Sequence, residues 1–240
     1  MFNYDKIEDR IVEWVVMDIE LVILDIKENF LALKKRLYLF IKRSFDLILS
    51  LIGILFLIPI SIIIKIVNLL DGDKESIFYV QKRIGLNGEE FDLYKFRSMV
   101  PNADEILKDL LKRNKKLAKE YKMNKKLKND PRITKIGKII RKYSIDELPQ
   151  LINILRGDMT FIGNRPYLPR EKEDMGESFD TIVSTKPGLT GYWQVSGRSD
   201  VSFDYRVQLE EHYSNYCGFK MDAKIFIKTF QVVFKGKGAK

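Results

Sequence analysis

Asp146 and Glu147 stand side by side in RKYSIDELPQLIN, residues 141–153, where apolar spacing begins a helix. Ser144 followed three residues later by Glu147 has the form of a capping box, yet Pro149 would then sit uncomfortably deep inside the helix, so the first turn alternatively begins at Asp146. Either start puts both acids at a helix N-terminus. That position stabilises an ionised carboxylate and attracts an anion such as a phosphate, bringing a carboxylate nucleophile and a phosphorus target together. Acids also serve as plain helix caps, and an acid pair alone is not specific. Two loops further along the chain are more telling. GDMTFIGNRP, residues 157–166, is a tight polar loop closed by Arg165 and Pro166, and KPGLTGYWQVSGR, residues 186–198, is a second loop closed by Arg198. Such loops carry backbone N–H groups and a guanidinium to an anion. Turn chemistry accounts for their glycines and prolines but not for an arginine at the end of each.

Other chemistries are restricted by what the chain lacks. Cys217 is the only cysteine and His212 the only histidine. A disulfide framework and a cysteine-based zinc site are therefore excluded, and a histidine base or a multi-histidine metal site would rest on one residue. Carboxylates, lysines and arginines must do the work. The 240 residues carry a net charge of +9, unevenly spread: eight acids against three bases in the first 30 residues leave +14 on the remainder. A basic body beside an apolar run suits anionic lipid and phosphorylated substrates, and no nucleic-acid-binding motif is present.

The apolar run is residues 47–64, uncharged and interrupted by Pro59. A helix of that length reaches about 27 Å, just short of a hydrocarbon core of roughly 30 Å. Lys34, Lys35, Arg36, Lys42 and Arg43 precede it, and Lys65, Lys74, Lys82 and Arg83 follow it, so both flanks favour the cytoplasmic side. Pro59 is expected to break the helix and return the chain to the face it entered, with the Ser61 hydroxyl serving a freed backbone group. A kinked spanning helix is the alternative. Upstream, Ile7, Ile11, Val15, Ile19, Val22, Ile26, Phe30, Leu33 and Leu37 form one stripe on a long acidic helix, a surface for packing on the body, for the membrane or for a homodimer seam. Downstream, residues 77–98 read as a β-hairpin turning at Gly85, Asn87 and Gly88 and placing Lys95 near the sheet end. Residues 104–128 read as a helix with a lysine-rich face, stopped by Asn129-Asp130-Pro131. The expected fold is α+β and predominantly helical: an N-terminal helix over 1–40, a re-entrant helix-break-helix membrane hairpin over 41–72, and a small catalytic domain with a short β-hairpin over 73–240.

Several segments together carry a resemblance: KRSFD (42–46), YKFRSM (94–99), DPRITKIGKIIRKYSIDELPQLINILRGDMTFIGNRP (130–166) and KPGLTGYWQVSGR (186–198). In this order they resemble the bacterial sugar transferase family, the monotopic polyprenyl-phosphate phosphoglycosyl transferases. The resemblance implies transfer of a sugar 1-phosphate from a UDP-sugar to undecaprenyl phosphate with release of UMP, at the cytoplasmic face of the bacterial inner membrane, initiating exopolysaccharide, O-antigen or glycan assembly. It further implies Asp146 as the nucleophile of a covalent phospho-sugar intermediate, Glu147 as its partner, and a magnesium ion at Asp146. Arg141, Arg165, Pro166 and Arg198, with Lys95 in YKFRSM, are implied in binding phosphate and nucleotide. Family members usually have proline where this chain has Asn164, which leads one to expect a less rigid loop. A membrane-associated glycosyltransferase releasing UDP and a noncatalytic scaffold are the competing readings.

Overall fold

A computed structural model describes residues 4–124, 127–196 and 201–234, with backbone alone at 4–16, 19, 124 and 232–234. The chain divides into two compact units, Met1–Ser44 and Phe45–Lys240. Helix α1, Tyr4–Leu70, is one unbroken helix through Pro59, so the two helices expected on either side of that proline are a single element. Ser61 donates its hydroxyl to the Leu57 carbonyl at 2.7 Å, close to where Pro59 removes a donor and crowds the preceding turn. By length and composition residues 20–70 are long and apolar enough to cross a membrane.

Within the second unit, the part of α1 from residue 45 onward has two unlike faces. Asp46, Ser50, Leu57, Ile64 and Asn68 are buried, while Leu51, Leu55, Phe56, Ile58, Ile62, Ile63 and Ile66 are exposed. Leu57 and Ile64 join Ile77, Phe96 and Ile140 in a core cluster. A side chain at Gly53 would meet Leu151, so the helix approaches that residue closely there. Asp46 accepts from the Thr160 hydroxyl at 3.0 Å and from the Phe161 N–H at 2.9 Å, which fixes a charged residue inside the fold.

The expected hairpin is present. Strands β1, Phe78–Ile84, and β2, Glu90–Phe96, pair antiparallel with Phe78 opposite Phe96 and Ile84 opposite Glu90. The reversal is a short 3-10 turn in which Asn87 and Gly88 take φ of 57° and 83°, left-handed conformations that asparagine and glycine tolerate. The expected helix over 104–128 is two helices, α2, Ala103–Arg113, and α3, Lys115–Asn124. Asn114 is extended between them, and its side chain accepts from the N–H groups of Lys116 and Leu117, capping α3 and ending α2.

Helix α4, Lys135–Lys142, begins at Thr134, whose hydroxyl accepts from Gly137 N–H. A Cβ at Gly137 would run into the Ser98 carbonyl, so α4 lies directly on the chain leaving β2. Helix α5, Gln150–Arg156, precedes strand β3, Thr160–Ile162, and is followed through the short helices α6, Lys172–Met175, and α7, Phe179–Val183, by strand β4, Gly188–Thr190. Strands β3 and β4 form a short parallel pair that the sequence reading did not anticipate, since three-residue strands leave no alternation to detect. Helices α8, Tyr192–Ser196, α9, Phe203–Tyr216, and α10, Phe219–Phe234, complete the described chain.

Asp46→Ala leaves the Thr160 hydroxyl and Phe161 N–H without this acceptor. It is expected to lower unfolding stability by roughly 2 kcal/mol or more, read by thermal unfolding of the detergent-solubilised protein.

Candidate active site

Asp146 and Glu147 do not open α5. They lie in a 3-10 turn, Ile145–Glu147, entered through Ser144 at φ 56° with no side-chain cap, so the capping box read from the sequence does not form. Pro149 sits ahead of Gln150 at the helix start, where its missing N–H costs nothing. The turn therefore presents consecutive carboxylates between α4 and α5.

Buried asparagine holds β2 to this turn. Asn153 on α5 accepts from Tyr94 N–H at 3.0 Å and donates to the Asp92 carbonyl at 2.7 Å, aligning the strand that carries Lys95. Lys95 Nζ then lies 3.0 Å from Glu147 Oε1, with the two side chains 23% and 32% exposed. Just beyond β2, Arg97 makes a two-pronged pair with Asp73, at 2.9 and 2.8 Å, which secures the end of the strand. Arg141, in the last turn of α4, donates its Nε to Ser98 Oγ at 2.8 Å.

The two acids are electrostatically unlike. Burial, and then the neighbouring Glu147 charge, raise the Asp146 carboxyl to about 6, with Lys95 and Arg141 only partly opposing this. Burial also pushes Glu147 upward, but the Lys95 ammonium, through charge and hydrogen bond, and Arg165 and Arg83 beyond it outweigh that and hold it below its usual value. Glu147 is the fixed charge and Asp146 the basic, titrating one.

Arg165 leaves β3 with its backbone N–H donated to Glu210 Oε1 at 3.0 Å. Pro166 does not line the cleft; its carbonyl accepts from Arg83 Nη1 at 3.0 Å. Arg83 is buried, with burial first and the Arg165 charge second lowering it to about 10. Glu210 is fully buried, and burial raises it to about 7 against the pull of Tyr167, the Arg165 N–H and the guanidiniums of Arg165 and Arg206. The sequence reading gave a site role to none of Arg83, Glu210, Arg206 and Trp193. Only their inward register on β1, α8 and α9 distinguishes them from surface charges or core aromatics.

Asn164, where looser backbone was expected, is buried at 2% exposure and donates to the Ile182 carbonyl, Thr185 Oγ1 and Ser214 Oγ at 3.1, 3.2 and 2.6 Å. Its carbonyl accepts from Gly188 N–H at 2.7 Å. Side-chain hydrogen bonds supply here a restraint that proline would supply through φ.

Lys95, Arg141, Asp146, Glu147, Arg165, Trp193 and Arg206 line one open cleft of about 1900 Å³, and Leu49 and Ile52 of α1 form part of its wall. Arg198 lies outside the described residues. Among the described residues no group of three or more acids, histidines or cysteines gathers as a metal cage. Asp146 with Glu147 fits a hard, oxygen-preferring ion that draws its other ligands from water and substrate, since no other residue's hydrogen bond is aimed at the Asp146 carboxylate among the described residues.

The carboxylate pair, with Lys95, Arg141 and Arg165 in the same cleft, thus opens beside an apolar helix. The chain belongs to the bacterial sugar transferase family, whose model matches residues 37–236. It is 42% identical over 220 residues to the undecaprenyl-phosphate galactose phosphotransferase of Salmonella typhimurium, covering 92% of this chain and 45% of that protein. It is 40% identical over 199 residues to the exopolysaccharide production protein ExoY of Sinorhizobium fredii, covering 82% and 87%. The UDP-N-acetylgalactosamine-undecaprenyl-phosphate N-acetylgalactosaminephosphotransferase of Aeromonas hydrophila is 30% identical over 214 residues, covering 85% and 46%. The chain thus spans about half the length of two of these three relatives.

Because Asp146 is raised, the unfolded chain ionises it first as pH climbs from 4 to 6, and folded-state stability falls over that window. Asp146→Asn should therefore melt above the wild type at pH 7.5, and the difference should disappear near pH 4, in melting curves recorded across that range.

Proposed function

We propose that this protein transfers a sugar 1-phosphate from a UDP-sugar to undecaprenyl phosphate, releasing UMP. The observation that carries the reading is the Asp146–Glu147 pair, one acid made basic and the other held ionised by Lys95, in a cationic cleft that shares a wall with α1.

Asp146 attacks the sugar-bearing phosphorus of the donor, an aspartyl phosphate bond forms as the P–O bond to UMP breaks, and the electron pair leaves with UMP. A phosphate oxygen of the lipid acceptor then attacks the same phosphorus and expels the Asp146 carboxylate, giving the undecaprenyl diphosphate sugar. A more basic carboxylate is a better nucleophile, so Glu147 assists by raising Asp146. Lys95 keeps Glu147 charged, and Arg141 and Arg165 offset charge on the phosphates. Asp146, with Glu147 adjacent, would hold a magnesium ion, which would supply the charge neutralisation that lets an anion approach a phosphate. The sugar is set by pocket contacts, and the relatives named above differ in it.

The apolar part of α1 enters the membrane from the cytoplasmic side and does not cross it. Asp46 and Asn68, near its two ends, are both buried against the same domain, which favours one-sided insertion, and the exposed apolar face between them meets lipid.

Incubating the full chain with UDP-sugars, undecaprenyl phosphate and magnesium should yield UMP, and release of UDP would overturn the reading. Asp146→Asn should abolish UMP release while leaving membrane association unchanged, and wild-type turnover by that variant would remove the nucleophile assignment. The wild-type kcat/KM should rise with pH as the Asp146 carboxylate ionises, with the inflection moving below about 6 as magnesium concentration is raised. Cysteines placed at residues 45 and 70 of vesicle-embedded protein should react with an impermeant reagent from one side only.

A further inference from the structure

Glu210 on α9 receives the Arg165 N–H, and Arg206 lies one turn earlier on the same helix, so both arginines are referred to one rigid element. The Arg206 guanidinium lies 4.7 Å from the centroid of the Trp193 ring and 5.6 Å from that of Phe203, an aromatic seat that fixes its plane. Trp193 is 9% exposed and forms part of the same cleft wall as both arginines. The Nε–H of Arg165 and the Nε–H of Arg206 are each buried with no hydrogen-bond partner among the described residues. Neither guanidinium makes a salt bridge to a described carboxylate within 4.0 Å. Two half-buried, like-charged side chains that line one cleft and carry buried, unpartnered donors are costly unless an anion completes them.

We propose that Arg206 extends the phosphate-facing charge of Arg165 into a two-arginine phosphoryl-binding subsite, backed by Trp193 and anchored by Glu210, on the side of the cleft formed by α8 and α9. Its ligand is a phosphate oxyanion held by the two guanidinium forks. Burial and then the Arg165 charge lower Arg206, with Tyr167, Glu210 and Glu171 opposing this only in part. The identity of the ligand rests on the transferase reading, which supplies two phosphate-bearing substrates, one a nucleotide and one a lipid. The subsite itself rests on the arginine geometry.

The test titrates full-length protein in detergent with UDP in one arm and with a short-chain polyprenyl phosphate in the other, comparing wild type, Arg206→Met and Arg206→Lys. Methionine keeps the packing over Trp193 and removes the charge; lysine keeps the charge and loses the fork. Affinity for one of the two ligands should fall roughly tenfold or more in Arg206→Met and recover in part in Arg206→Lys, and the ligand that responds names the source of the phosphate. Unchanged binding of both ligands by Arg206→Met would overturn the subsite. So would a loss that lysine does not lessen, accompanied by a changed near-ultraviolet signal from Trp193, because Arg206 would then be a packing residue. Unchanged binding by Arg206→Met beside a wild type that still releases UMP removes the subsite and leaves the transferase reading. Binding that depends on Arg206 in a protein releasing no UMP does the reverse.

Discussion

Two carboxylates on consecutive residues in a half-buried turn repel each other, and the site depends on how that repulsion is managed. Lys95 settles it asymmetrically by pairing with Glu147 at 3.0 Å, leaving Asp146 to bear both the burial and its neighbour's charge. A cation shared equally between them would narrow the difference between the two acids. Much of the surrounding structure places that ammonium. Asn153 joins β2 to α5, Arg97 pairs with Asp73 at the end of the strand, and α4 lies on the Ser98 carbonyl with only a glycine between.

A second set of charges is organised by a different logic. Arg83 and Arg165 approach each other in the interior, with Arg83 bound to the Pro166 carbonyl and Gln81 and with Glu210 taking the Arg165 N–H. Glu210 is buried beyond the reach of water and is pushed to about 7, so it is a weak counter-charge and acts mainly as a geometric post. Asn164 beside it shows how a loop retains its shape when proline is replaced: the two N–H donors of one amide, shared among three acceptors, bind α7, the loop after it and α9 together.

The apolar helix contributes to both function and fold. Its Leu57 and Ile64 belong to the same cluster as Phe96 of β2 and Ile140 of α4, so the apolar element also supports the strand bearing Lys95 and the helix bearing Arg141. Asp46 binds it to β3, the strand that leads into Arg165.

Much of this was legible in the chain, because the informative patterns are local. The uncharged run at 47–64, the Gly85–Asn87–Gly88 reversal, the acid pair and the arginine that closes the GNRP loop depend on near neighbours in sequence, and the multi-segment motif set pointed to the family that residues 37–236 match. Local patterns also misled. Apolar spacing carries a helix across Asn114 that its amide interrupts, and it starts a helix at Ser144 or Asp146 where left-handed backbone leads into a 3-10 turn. What sequence could not supply was partnership across distance. That Lys95 meets Glu147 and not Asp146, that Asp46 inside an apolar helix is satisfied by β3, and that Arg206 shares a cleft with Arg165 depend on contacts 41 to 115 residues apart. Such contacts obey no periodicity, because the packing of separate elements, and not the repeat of any one of them, brings those atoms together.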